Sequence, residues 1–385
     1  MTSSPLDIVK LFKKSNPNLY TLMNNISHDY DLDSQHEHHS EGSIWAHTIS
    51  VLTTLLGFSY PSIPSIELML ATLMHDVGKC HTLVSENAST DDSKPIAKNL
   101  FYGHESFSSI MVYDILKNMG LLLESVNIRR VIELVNMHMI FSYNFGEITN
   151  DVFKIKAKEL ELIDRMFCGD LDLFRELLEL IKADGFGRIT RSNKYSISMQ
   201  RYTVLMSYLN SAIQDKHKKD PSTCSRTVII LIGLPGSGKS MYRNEFLKEH
   251  TDFKLASLDS LIEREMKTNR CTYSDIFYKN KSLLNNLNKE YNSQIQELIH
   301  DNSNILCDAT NLSVKSRSKK LSSLNKESYK KAIVFIRSLE DIYKINESRK
   351  ECKGKYLPRK TIDTMCKTFE VPTYNEFDEI EYRFI

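Results

Sequence analysis

The stretch "TVIILIGLPGSGKS" (227–240) constrains the fold of this 385-residue chain more than any other. A β-branched run, typical of a buried strand, leads directly into the pattern GxxxxGK[ST] and then into the helical "MYRNEFLKEH". The apolar runs "FKLASLD", "NILCD" and "KAIVFIR" follow at intervals long enough for covering helices. This alternation predicts an α/β domain with a parallel sheet.

The glycine-rich loop itself predicts a nucleotide-phosphate site. Its backbone N–H groups would converge on phosphates at the N-terminus of a helix, with Lys239 reaching the β- and γ-phosphates and Ser240 holding Mg²⁺. A chance glycine-rich turn is the alternative, but the flanking strand and helix both favour the phosphate loop. The other loop residues expected to bind the nucleotide are Gly233, Gly236, Ser237 and Gly238.

Carboxylates follow two of the expected strands. Asp259 ends the second run, and "DATN" brings Asp308, Thr310 and Asn311 to the end of the third. The carboxyl ends of parallel strands face the ligand crevice of α/β folds, where a carboxylate can act as general base. Each aspartate could instead cap a helix that follows its strand.

The first half of the chain has a different character. Up to about residue 210, apolar residues recur at three-and-four spacing, which predicts helices. The polar stretch 213–225, broken by Pro221, reads as a linker. We therefore expect an all-α domain over residues 1–212 and the α/β domain over residues 226–385.

Several features of the whole chain favour a cytoplasmic protein without a membrane anchor. No window approaches 18 uncharged apolar residues, and the N-terminus lacks the apolar core of a secretory signal. The seven cysteines are an odd number without CxxC spacing, which favours reduced thiols over a disulfide framework. The sequence does not indicate an oligomeric state.

Metal-capable residues recur along the helical half. A single buried histidine is usually a satisfied core residue, but a set of four histidines and two aspartates favours a divalent metal site between helices. A further tract, "HEHH" (36–39), lies in a polar segment and is expected to be a solvated loop. The six candidate ligands are His47, His75, Asp76, His104, His138 and Asp184.

The order of these motifs, "HDVGK", "GHE", "LV..H" and a closing "AD", resembles the HD-domain phosphohydrolases over residues 40–195. The resemblance implies an all-α helical bundle in which a metal-activated water attacks a phosphoester. It assigns His47, His75, Asp76 and Asp184 to one ion, with Asp76 bridging to a second held by His104 and His138.

Some details of that assignment stay open. One ion or two would suit the set, and Mn²⁺, Ni²⁺, Co²⁺ and Mg²⁺ are the candidate metals. Lys79 either reaches the phosphate or caps a helix, and Asp164 is the alternative to Asp184 as the final ligand. In either case Asp76 is the expected catalytic centre.

The second half resembles the kinase module of phage and bacterial polynucleotide kinases, most specifically in "DATNL" and "YLPRKTIDTM". The resemblance implies ATP and Mg²⁺ as cofactors, Asp259 as general base and Arg349 as a lid arginine over the transferred phosphate. It also implies that Arg317 binds the nucleotide. Isoleucines 262 and 345 stand where that family has arginines; candidate replacements are Arg264, Lys344 and Lys350.

Together the two halves resemble bifunctional RNA end-healing enzymes. This resemblance implies a substrate of RNA, or DNA, with 5′-hydroxyl and 2′,3′-phosphate ends, and cooperation with an RNA ligase. The basic stretches 315–320 and 349–360 favour such a polyanion. Two alternatives are an HD nucleotidase fused to a metabolite kinase, and a nucleotide sensor without turnover.

Overall fold

The computed structural model divides the chain into two compact units, Met1–Asp215 and Lys216–Ile385. No helix in the described part of the chain is long and apolar enough to cross a membrane. The described residues are 4–27, 42–88, 96–122, 126–143, 147–149, 152–168, 170–188, 194–212, 219–273, 275–276, 280–325, 327–351 and 355–385.

Helices dominate the first unit, in agreement with the apolar spacing. Several begin at a side-chain cap, as at Ser43, Ser65 and Asp170, where the side-chain oxygen accepts a backbone N–H that the helix leaves unpaired. The helices are α1 (Pro5–Ser15), α2 (Pro17–Asn25), α3 (Ile44–Ser59), α4 (Ile66–Met74), α5 (Lys79–Thr82), α6 (His104–Asn118), α7 (Ile128–Met137), α8 (Ile140–Tyr143), α9 (Ala157–Met166), α10 (Leu171–Gly187) and α11 (Lys194–Ala212).

Five of these helices pack together around the core of the unit. Helix α3 packs against α10, and α7 packs against both α4 and α6. The last turn of α4 is completely enclosed, with Leu73 and Met74 at 0% exposure. Polar residues that follow Met74 directly are therefore delivered into the interior rather than to the surface.

Two small antiparallel hairpins depart from the expected all-α architecture. Strand β1 (Val84–Ala88) pairs with β2 (Ile96–Leu100), and β3 (Glu147–Thr149) pairs with β4 (Val152–Lys154). These segments are only three to five residues long, and such short strands carry too little alternation to be read from sequence.

The second unit contains a five-stranded parallel sheet in the order β6-β7-β5-β8-β9. Its strands are β5 (Arg226–Ile232), β6 (Phe253–Ser257), β7 (Asn304–Asp308), β8 (Ser328–Ile336) and β9 (Glu379–Phe384). A short 3₁₀ turn, Pro221–Thr223, precedes the sheet. The helices are α12 (Lys239–Glu249), α13 (Leu258–Asn269), α14 (Lys281–His300), α15 (Val314–Leu321), α16 (Leu339–Glu351) and α17 (Arg359–Cys366).

The central strand β5 explains why the sheet forms. Its last five residues are all buried, as a parallel strand covered on both faces requires. Ile229 and Leu231 share one core layer with residues of β7 and β8. The register places Asp308 beside both Leu231 and Ser257, so the carboxyl ends of β5, β6 and β7 meet at one edge.

Candidate functional sites

The six metal-capable side chains predicted from the sequence converge inside the first unit. All six are buried, and their candidate ligand atoms form two groups of three. Different helices deliver them: His47 lies in α3, His75 and Asp76 follow the end of α4, His104 begins α6, His138 directly follows α7 and Asp184 lies in α10.

The first group consists of His47, His75 and Asp184, whose ligand atoms lie within 4.8 Å of one another. Nε2 of His47 is 3.1 Å from Oδ1 of Asp184, and Nε2 of His75 is 4.0 Å from the same oxygen. Nε2 of His75 makes no hydrogen bond to any described residue, although it is fully buried. Two imidazole nitrogens and a carboxylate form a donor set that fits a divalent transition metal.

The second group consists of Asp76, His104 and His138. Oδ1 of Asp76 is 3.3 Å from Nε2 of His104 and 3.9 Å from Nε2 of His138. The other oxygen, Oδ2, faces the first group, at 3.6 Å from His47 and 3.3 Å from His75. Asp76 therefore lies between the two groups with one oxygen toward each, which is the placement of a bridging carboxylate.

Backbone carbonyls fix the orientation of three of these histidine rings. A carbonyl only accepts hydrogen bonds, so the contacting Nδ1 carries the hydrogen; in a neutral ring this leaves the lone pair on Nε2 for a cation. The Nε2 atoms of His104 and His138 lie 3.3 Å apart, an arrangement that a shared cation would satisfy. The contacts are His75 to Thr72 at 2.8 Å, His104 to Phe101 at 2.9 Å and His138 to Val135 at 2.7 Å.

The protonation states also suit a cation. Burial alone would raise the pKa of Asp76, but the neighbouring His75 helps to hold it well below its usual range. Burial would likewise raise the pKa of Asp184, but Arg188 together with His47 and His75 outweighs burial, and the pKa is again well below normal. Burial lowers the pKa of His138 to about 3. The site thus combines ionised carboxylates with a neutral imidazole at neutral pH.

Two cations border the centre. Nζ of Lys79 donates to Oδ2 of Asp76 at 2.7 Å, and Nη2 of Arg188 donates to Oδ2 of Asp184 at 3.0 Å. Lys79 was predicted from the sequence, whereas Arg188 was not. The available signal was its position four residues after Asp184, directly after the end of α10.

Two other sequence candidates stand apart from this centre. Asp164, the alternative final ligand, lies on α9 and belongs to neither group among the described residues. The tract 36–39 lies outside the described residues. The described geometry therefore favours Asp184 over Asp164.

The phosphate-loop motif of the second unit connects β5 to α12. Gly238 has φ 102°, a left-handed conformation that favours glycine, and it directly precedes the first residue of α12. A Cβ on Gly233 would lie 2.8 Å from the carbonyl oxygen of Phe335, so only glycine fits there. The loop thereby presents its backbone at the N-terminus of a helix, where anions bind.

Lys239 is the first residue of α12 and is buried. Its Nζ donates to the carbonyl oxygens of Gly233 and Leu234 at 2.8 Å each. Burial lowers the pKa of Lys239 to about 8, while Asp308 and Asp259 act in the opposite direction. The ammonium group of Lys239 is thus held inside the loop in which nucleotide phosphates would bind.

A cleft of about 350 Å³ opens over this loop. Two isoleucines that were singled out in the sequence, Ile262 and Ile345, line it. So do two cations that sequence reasoning missed, Arg337 and Lys355. The predicted residues that line the cleft are Gly236, Gly238, Lys239, Ser240, Asp259, Asp308, Thr310 and Arg349.

The two cleft aspartates have different surroundings. Asp308 ends β7, Arg243 of α12 donates to it at 2.8 Å, and burial raises its pKa. Asp259 lies in the first turn of α13 rather than at the end of a strand, since Ser257 ends β6 and caps the helix. Asp259 is partly exposed and its Oδ2 is 3.0 Å from Nζ of Lys355. Asp259 is thus the more exposed of the two aspartates.

Arg317 does not lie in the cleft, contrary to expectation. Its side chain is completely buried, and its guanidinium pairs with Glu376 through two bonds of 2.8 Å. It also donates to backbone carbonyls, including that of Glu370 at 2.9 Å. Asn311 is buried as well and donates to the carbonyl of Leu231 at 2.8 Å. Both residues stabilise the fold around the site instead of contacting a ligand.

The three suggested replacements for the missing arginines also lie away from the cleft lining. None of the three is among the described residues that line the cleft, so none places charge beside Ile262 or Ile345 in this arrangement. Arg264 pairs with Glu290 at 2.7 Å, Lys344 pairs with Glu340 at 2.6 Å, and Nζ of Lys350 lies 5.2 Å from the ring centroid of Tyr356.

A parallel sheet, a phosphate loop between a central strand and a helix, and carboxylates at the adjoining strand ends define a nucleotide-binding P-loop domain. Residues 228–372 match a family of AAA domains, AAA_33. This part of the chain is thus a P-loop domain of kinase-like type, which points to ATP and Mg²⁺. A search of curated proteins gave no match to the chain.

Proposed function

We propose that this protein heals broken RNA ends with two phosphate chemistries in one chain. The second unit would transfer the γ-phosphate of ATP to the 5′-hydroxyl of a polynucleotide. The first unit would open a 2′,3′-cyclic phosphate, remove a 2′- or 3′-phosphate, or do both. An RNA ligase would then join the healed ends.

In the kinase unit, Asp259 is the general base that accepts the proton of the 5′-hydroxyl. Lys239 and the loop N–H groups hold the β- and γ-phosphates, and Arg349 stabilises the charge on the transferred group. Mg²⁺, held through Ser240, would offset phosphate charge. The presence of Lys239, Asp259 and Arg349 in one cleft supports this assignment.

In the first unit, the six buried side chains fit one or two divalent ions. Bound ions would supply an activated water and shield the charge of the phosphate. Lys79 and Arg188 border the same centre and would orient the phosphate oxygens. The single observation that carries the hydrolase proposal is the position of Asp76, with one oxygen toward each ligand group.

Two assays test the proposal. One supplies labelled ATP and a 5′-hydroxyl oligonucleotide; the other supplies a 2′,3′-cyclic-phosphate oligonucleotide with Mn²⁺, Ni²⁺, Co²⁺ or Mg²⁺. We expect Lys239→Ala or Asp259→Ala to abolish phosphorylation alone, and Asp76→Ala to abolish hydrolysis alone. Absence of wild-type transfer to the oligonucleotide would refute the kinase half, and hydrolysis by Asp76→Ala would refute the metal site.

A metabolic pair, an HD-type nucleotidase fused to a small-molecule kinase, is the alternative. Salt separates the two because binding of a polyanion releases counterions. The KM for an oligonucleotide should rise steeply between low and moderate salt, whereas the KM for a metabolite should change little. A sensor without turnover would show neither activity.

A further inference from the structure

The cations that line the cleft over the phosphate loop lie on two of its sides, one toward the loop and one toward α13. Lys239 belongs to the phosphate loop, and a guanidinium nitrogen of Arg337 comes within 4.0 Å of a Cβ built on Gly238. These groups would face a nucleotide bound at the loop. Lys355 instead lies on the side of α13, where Asp259 is the proposed general base.

Lys355 forms ion pairs with two carboxylates that lie one turn apart on α13. Its Nζ is 3.0 Å from Oδ2 of Asp259 and 2.8 Å from Oε1 of Glu263. The side chain is 24% exposed, and those of the carboxylates are 35% and 52% exposed. Ion pairs that are partly exposed to solvent contribute little net stability, so a phosphate can replace either carboxylate as partner at little cost.

The chemistry of a polynucleotide acceptor places an anion close to this ammonium group. The first internucleotide phosphate lies one ribose away from the 5′-hydroxyl, and that hydroxyl must contact Asp259 to lose its proton. A lysine that contacts Asp259 is therefore within a side-chain length of the phosphate. A compact, flexible ammonium suits such a contact.

We propose that Lys355 binds the first internucleotide phosphate of the acceptor, while Asp259 receives the proton of the 5′-hydroxyl. This inference rests on the proposed kinase function. It makes Lys355 a specificity-determining residue that separates nucleotide acceptors from uncharged alcohols. Ile262 and Ile345 line the cleft without contributing charge.

The test compares two acceptors that differ only in one charge. A 5′-hydroxyl dinucleotide with its normal phosphodiester is matched by the same dinucleotide with a neutral methylphosphonate linkage. We expect the wild type to favour the charged acceptor in kcat/KM by about tenfold or more. Lys355→Ala should remove that preference without changing the KM for ATP, and Lys355→Arg should restore part of it.

Lys267→Ala is the matched control, because Lys267 is an exposed lysine near the other end of α13. It should keep the full preference. Equal loss on both acceptors in Lys355→Ala would overturn the inference and assign Lys355 to positioning of Asp259. A wild type that uses both acceptors equally would also overturn it. A wild type inactive on oligonucleotides would instead refute the proposed function.

Discussion

Asp184 and Asp164 offer a direct test of ligand identity at the scale of single residues. Asp184 lies 3.1 Å from His47 and belongs to the first ligand group, whereas Asp164 belongs to neither group. We expect Asp184→Ala to weaken Mn²⁺ binding by more than about a hundredfold, since it removes a direct ligand. Isothermal titration with Mn²⁺ measures this change.

Asp164→Ala is the control and should bind Mn²⁺ as the wild type does. The reverse result, with binding lost in Asp164→Ala and kept in Asp184→Ala, would exchange the roles of the two residues. Circular dichroism of both variants separates a lost ligand from a lost fold.

Arg317 gives a second prediction at this scale. Arg317→Met leaves the carboxylate of Glu376 buried without its partner, which costs about 3–5 kcal/mol. Urea unfolding should show a loss of this size. The double variant Arg317→Met/Glu376→Leu should lose less than the single variant, because it removes the stranded charge. A stable single variant with weaker ATP binding would support the nucleotide role instead.

These residues also show which features of the sites can be predicted from the sequence and which cannot. The histidines and Asp76 were predicted because a metal site needs particular residue types, which a motif displays. The burial of Arg317 depends on Glu376, which lies 59 residues away in the sequence, and a local sequence pattern does not predict that pairing. Lys355 is similar, since its relevance comes from a contact with Asp259 across the cleft.

At the scale of elements, the turn after α4 approaches α6 through Gly78. A Cβ there would lie 2.4 Å from the carbonyl oxygen of His104 and 2.6 Å from the backbone nitrogen of Ser108. Gly78→Ala should therefore separate the turn carrying Asp76 from α6, destabilise the fold by about 1–3 kcal/mol and weaken metal binding. Urea unfolding and Mn²⁺ titration measure the two effects.

Gly57→Ala is its control, because Gly57 lies in α3 with nothing within 4 Å of an added Cβ. Replacing an exposed helical glycine by alanine should stabilise the protein by up to about 1 kcal/mol. Unchanged stability and metal affinity in Gly78→Ala would mean that the turn is free to move away from α6.

The strands differ in how clearly their own sequences predict them. Strands β5 to β8 contain apolar runs and are followed by helices, and this alternation predicts a parallel sheet covered by helices. Strand β9, with the sequence "EIEYRF", is an edge strand with mixed exposure and was missed. An edge strand is specified mainly by its neighbour, which a local pattern does not contain.

At the scale of the molecule, division into two compact units predicts two ligand-specific responses. A ligand at one hundred times its Kd stabilises the form that binds it by about 2.7 kcal/mol. We expect Mn²⁺ to raise the Tm of one calorimetric transition and ATP with Mg²⁺ to raise that of another. Asp76→Ala should cancel the first shift only, and Lys239→Ala the second only.

A single transition raised equally by both ligands would show that the two units unfold as one. Asp76→Ala and Lys239→Ala each remove one proposed ligand site, so they show which ligand raises the Tm of that single transition.

The position of Asp76 between the two ligand groups has a consequence for the charge balance of the candidate metal centre. With neutral histidines, its two aspartates are matched by Lys79 and Arg188, so these groups together carry no net charge. Each divalent ion would then add two positive charges in a place from which water is largely excluded. Such a centre attracts anions strongly, so a phosphate product should leave slowly and inorganic phosphate should inhibit hydrolysis.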